Sequence, residues 1–164
     1  VILDKIAAAF SQKDPPRSST YRANAARYKA KLADLDQKYK AGLSSCQQRR
    51  FFVGGHSAFA YMARRYGLEQ TTLYGVSPNS EPTPRRLTDV IQAAREQGVR
   101  VIFFEELVSP KLAQVLAKEA QIGTSPLYNG ANLTRDQLRS GVTFLQLMEL
   151  NLESLRQGLH CELK

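Results

Sequence analysis

In the stretch Arg50–Leu68, RFFVGGHSAFAYMARRYGL, one histidine stands where chemistry could be done. Phe51, Phe52 and Val53 read as a buried strand, Gly54-Gly55 as a turn, and Phe59, Met62, Ala63 and Tyr66 as the apolar positions of a helix. Strand, glycine turn and helix form the unit in which an α/β fold presents a side chain at the carboxyl edge of its sheet. His56 falls at that edge, in or just before the first helical turn. A helix N-terminus behind the ring disfavours imidazolium, and neutral imidazole is the form that binds metal. The same spacing also allows a capping or loop histidine with no ligand.

Three more strand-to-helix loops are expected at this edge: SPNSEPTP, EELVSP and YNGANLT. They add Glu81, Glu105, Glu106 and Asn129, and no cysteine, aspartate or lysine. Ser57 adjoins His56 in sequence, so no Ser/His or Cys/His pair is available for nucleophilic catalysis. GGHS has neither the spacing of a dinucleotide fingerprint nor the Lys-Ser/Thr of a P-loop. One nitrogen and several oxygens suit a divalent metal. Each glutamate, taken alone, also reads as a turn cap or a partner of arginine, so a small α/β domain with another ligand stays open.

The elements that must position these residues follow from periodicity. Residues 2–12 read as a short helix with Ile2, Ile6, Ala9 and Phe10 on one side. Asp14-Pro15-Pro16 interrupts it, because the residue before a proline is steered away from the α region. A second helix restarts near Ser18 or Ser19 and carries Tyr21, Ala25, Tyr28, Leu32, Leu35 and Tyr39 as one stripe, with Gly42 as its stop. Beyond the His56 unit, strands are expected at 71–76, 99–104 and 124–128. Helices are expected from Pro84 to Gly98, around Leu112–Ala120, and from a capping box at Thr134/Gln137 through to Gly158. Alternating strands and helices of this length imply a parallel sheet with helices on both faces.

Composition bounds the rest. A chain of 164 residues, 43% hydrophobic and 23% charged, is long enough for one domain with a real core and is not of disordered type. No apolar run approaches the ~20 residues that span a bilayer, and no signal peptide opens the sequence. The net charge of +8 is uneven: residues 1–50 carry 11 Lys/Arg against four Asp/Glu. These charges are interspersed with apolar residues at helical spacing and lack any nucleic-acid signature, so they read as the solvated side of a packed helix, with no nucleic-acid partner. Cys46 and Cys161 make no CxxC pair; they read as two buried thiols in a cytosolic protein or one disulfide in an exported one.

Four ordered motifs, HSAFAYMARRYGL, GVSPNSEPTPRRL, VIFFEELVSPKLAQVLAKEA and FLQLMELNLESL, together resemble the solute-binding proteins of zinc and manganese ABC transporters. The resemblance covers essentially the whole chain. It implies two α/β lobes joined by a long backbone helix, with metal in the cleft between them. Residues 1–44 would then be most of that interrupted helix and 45–164 the C-terminal lobe, a three-layer αβα unit with a four-stranded parallel sheet.

The implied role is capture of a divalent metal outside the cytoplasmic membrane, periplasmic or extracellular and membrane-anchored, with delivery to an ABC permease and no reaction catalysed. His56 matches the family's third metal ligand. Glu105 matches an acid expected to support the ligands rather than join them, and Asn129 falls near a position where many members place an aspartate. The family's first two histidine ligands belong to the N-terminal lobe and the segment just before the backbone helix, neither of which is in this sequence, so the chain alone is expected to hold metal weakly or not at all. Imidazole at position 56 and an uncharged amide at 129 favour zinc over manganese. Export also makes Cys46–Cys161 the expected disulfide, one cysteine lying just before the first strand and the other just past the last helix. The rival readings are an anion- or nucleotide-binding α/β enzyme domain seated on Gly54-Gly55, and an adhesion or interaction module.

Overall fold

The computed structural model describes residues 1–54, 57–72, 84–96, 98–105, 114, 118–119 and 121–162, with the side chains of 84, 86, 87 and 90 left aside. The chain divides into two compact units, Val1–Lys38 and Tyr39–Lys164.

In the first unit, α1 (Ile2–Lys13) and a 3-10 turn (Pro15–Arg17) precede α2 (Ser18–Leu43), which runs on into the second. The proline break is a reversal. Lys29 Nζ lies 2.8 Å from Asp4 Oδ1, whereas a straight helix would separate residues that far apart in sequence by roughly 37 Å. The rings of Phe10 and Tyr21 meet at 5.3 Å, and the Tyr21 hydroxyl donates to Asp14 Oδ2 at 2.6 Å. This fold-back overturns the face expected for α1. Ala7 is the buried position, with Leu3 and Ser11 half-buried on either side, while Ile2, Ile6 and Phe10 stay 73%, 47% and 55% exposed. The stripe on α2 is as expected: Tyr21, Ala25, Tyr28 and Leu32 are half-buried, Leu35 and Tyr39 buried.

The second unit is built on a four-stranded sheet of β1 (Arg50–Val53), β2 (Glu69–Thr72), β3 (Val101–Glu105) and β4 (Gly123–Leu127). All pairings are parallel, in the order β2-β1-β3-β4. Pro126, which has no N–H for a ladder, is tolerated because β4 is an edge strand. Helices α3 (Ala60–Arg65) and α4 (Pro84–Glu96) join the first three strands. Phe52 and Ile102, paired across β1 and β3, form a buried cluster with Ala94 of α4 and Val99 on one face of the sheet. On the other, Phe51 and Phe103 meet edge to face at 6.0 Å. Period-two alternation of strand side chains thus feeds two cores at once.

The expected final helix is two helices. Thr134 and Gln137 form the predicted capping box and start α5 (Arg135–Ser140), which Gly141 ends with a left-handed φ of 68°. A second box, Thr143 with Gln146, starts α6 (Phe144–Gly158). Gly158 comes so close to the sheet that an added Cβ would sit 2.5 Å from the Phe103 ring. Gly42 is likewise a contact glycine inside α2 rather than its stop, with Leu152 and Arg156 of α6 at 3.2 Å from such a Cβ. Cys46 and Cys161 are disulfide-bonded. Around the bond, the Gln47 and Gln48 N–H groups donate to the His160 and Leu159 carbonyls. The expected helix around 112–120 lies outside the described residues, apart from positions 114, 118 and 119.

Candidate metal site

In a doubly wound sheet, ligands bind outside the carboxyl ends of the strands, where the strand order changes direction. Here the order 2-1-3-4 turns between β1 and β3. The two strand ends are tied there by the Gly54 N–H, which donates to the Phe103 carbonyl at 2.7 Å. His56 follows Gly54 by two residues in sequence and lies outside the described residues, as do Glu81 and Glu106. The helix that follows, α3, begins at Ala60 and has six residues.

Glu105 and Asn129, on separate loops in the sequence, come together. Glu105 is the last residue of β3 and only 3% exposed. The Asn129 Nδ2 donates to Glu105 Oε2 at 2.9 Å, and Asn129 Oδ1 accepts from the Ala131 N–H at 2.8 Å. The second bond closes an Asx turn. The amide is thus engaged at both ends, its nitrogen on Glu105 and its oxygen on the protein's own loop. An aspartate could not make the first bond, because a carboxylate donates nothing.

Asn151 and Arg49 were not singled out as site residues by the sequence reading. Asn151, on the inner face of α6 and 1% exposed, accepts from the Tyr128 N–H and donates to the Tyr128 carbonyl, both at 2.7 Å. A side-chain amide thus pairs with the end of edge strand β4 as a neighbouring peptide would. The available signal was a polar residue on an otherwise apolar helical face. Arg49 donates to the carbonyls of Leu43, Tyr66 and Gly67, at the ends of α2 and α3. A cation there complements both helix C-termini and anchors the start of β1.

A four-stranded parallel sheet with apolar cores on both faces and a buried carboxyl group at its carboxyl edge defines an α/β fold. The chain belongs to the ZnuA family, zinc-uptake complex component A, periplasmic, which it matches over residues 1–158. It is 37% identical to the zinc-binding protein AdcA of Streptococcus pyogenes over 94% of its own length and 30% of that protein. It is 34% identical to the high-affinity zinc uptake system protein ZnuA of Bacillus subtilis, covering 94% of this chain and 48% of that one. Among solved structures, the Zn(II)-bound ZnuA-like domain of Streptococcus pneumoniae AdcA matches with a TM-score of 0.79 at 36% identity, over 94% of this chain and 57% of that one. The chain therefore spans about a third to a half of these curated relatives.

Proposed function

We propose that this chain is one lobe, with its inter-lobe helix, of a protein that captures zinc outside the cytoplasmic membrane and hands it to an ABC permease. On this reading residues 1–44 form the inter-lobe helical segment and 45–164 the C-terminal lobe. The ligands are His56 and two histidines contributed by the N-terminal lobe and the segment just before the inter-lobe helix. The observation that carries the reading is the buried carboxyl group of Glu105, held by Asn129 beside the β1–β3 switch point from which the His56 loop departs. That arrangement can orient an imidazole through its second nitrogen, as carboxyl groups do around metal-bound histidines. Zinc as the metal is supported by the zinc-binding relatives, and an extracytoplasmic, membrane-anchored location by the periplasmic family and by a zinc-binding lipoprotein among the relatives. The exposed apolar residues Ile2, Ile6 and Phe10 are consistent with further protein packing on the first unit.

The test is calorimetric titration of the full-length protein and of residues 1–164 with Zn²⁺ and with Mn²⁺. Zinc should bind tightly and in preference to manganese in the full-length protein, and weakly in the shorter chain. His56→Ala should remove most of the zinc affinity, and Glu105→Ala should weaken it about 10- to 100-fold. An unchanged zinc affinity in His56→Ala would return His56 to being a loop residue.

A further inference from the structure

We infer that Asn151 is a positioning residue for the carboxyl edge of the lobe, acting on Glu105 through the Tyr128–Asn129 backbone. The inference rests on the proposed zinc reading for its consequence, but not for its geometry. Three residues of α6 at successive turns hold the loop that leaves β4. The Phe144 ring lies against Gly130, whose φ is +75° and where a Cβ would stand 2.7 Å from the ring. Met148 brings its Sδ to 3.7 Å from the Asn151 Nδ2 and its methyl to the same glycine. Asn151 takes both polar groups of Tyr128. Residues 144, 148 and 151 share a helix face by their i, i+4, i+7 spacing.

Tyr128 immediately precedes Asn129, so fixing its peptide groups fixes the direction in which the Asn129 side chain leaves the backbone. That direction must serve two bonds at once, one to Glu105 and one to the Ala131 N–H. Glu105 is the last residue of β3, and the register across β3–β4 pairs it with Leu127, just before Tyr128. The β4 side of the edge is therefore referenced to α6 through the paired bonds of Asn151 to Tyr128. A leucine at 151 could fill the same space while offering Tyr128 neither a donor nor an acceptor.

The experiment compares Asn151→Leu, Asn129→Ala and the double variant in the full-length protein. Two readouts are taken under conditions where circular dichroism shows each variant folded. Exchange of the Asn129 side-chain amide protons, followed by NMR, reports the bond to Glu105; it should speed up at least 10-fold in Asn151→Leu. Zinc affinity should fall about 10- to 100-fold in Asn151→Leu, and the double variant should lose no more than the larger single loss, because both changes break one chain of contacts. Unchanged amide exchange in Asn151→Leu overturns the inference, as does additive loss of zinc affinity. Asn151→Gln, which keeps the amide but lengthens its reach, should recover part of the protection that leucine loses. If the unsubstituted protein binds no zinc, the zinc reading fails, and the exchange measurement still decides the role of Asn151.

Discussion

At Asn129 the side-chain nitrogen faces Glu105 and the oxygen faces the protein's own loop, a division of labour that an acid could not reproduce. Asn129→Asp would bring two carboxyl groups to about 3 Å, where like charges cannot both ionise easily, so one pKa rises. A raised folded-state pKa contributes stability that is present at acid pH and lost as pH climbs through it. Asn129→Asp should therefore be less stable than the parent at pH 7 and approach it near pH 4, measured as urea midpoints across that range. Tyr39 offers a second titration. Burial first, and the neighbouring Tyr66 second, push its hydroxyl well above the usual tyrosine value. It donates to the Met148 carbonyl at 2.6 Å. Because the unfolded tyrosine ionises near pH ~10 and the folded one does not, its contribution should be lost as pH rises above that point. Tyr39→Phe should cost about 0.5–1.5 kcal/mol at pH 7 and flatten the alkaline fall in thermal midpoint.

At the scale of elements, the sequence displayed much of what the chain builds. Period-two and period-3.6 patterns located β1, β3, β4 and most helices to within two or three residues, because each buries an apolar face that leaves a regular trace. The Thr134 capping box was legible for the same local reason. The Thr143-x-x-Gln146 box is equally local, but the apolar periodicity from 134 to 158 runs through Gly141 without a break and masks the division into two helices. Strand order was not legible, since the β1–β3 switch point arises from which strands pair across long separations. Asn151 was hidden because its partner is a backbone group 23 residues away. Gly158 carries no side chain, so only the approach of Phe103 explains it. Gly158→Ala should force that contact apart and destabilise the protein by about 1–3 kcal/mol in equilibrium unfolding, without altering helix content.

For the whole molecule, two features were legible without any pattern analysis. The first 50 residues hold most of the net charge, and two cysteines sit near the base of the first strand and the end of the last helix. The disulfide joins residues 115 apart in sequence. The chain-entropy description assigns a closure of that size about 4–5 kcal/mol through restriction of the unfolded chain. Reduction should lower the guanidinium midpoint accordingly, with unreduced, unfolded protein showing no titratable thiol.

The bond between Cys46 and Cys161 turns the polypeptide around the sheet into a ring. Between those residues lie all four strands and the candidate metal edge. A single proteolytic cut in any loop of the ring opens it without shedding a piece, and both new ends remain tethered. A nicked molecule would run as one species on a non-reducing gel and separate into two fragments only after reduction. For a protein working where proteases are plentiful and reductants scarce, a cut in an edge loop need not mean loss of the lobe.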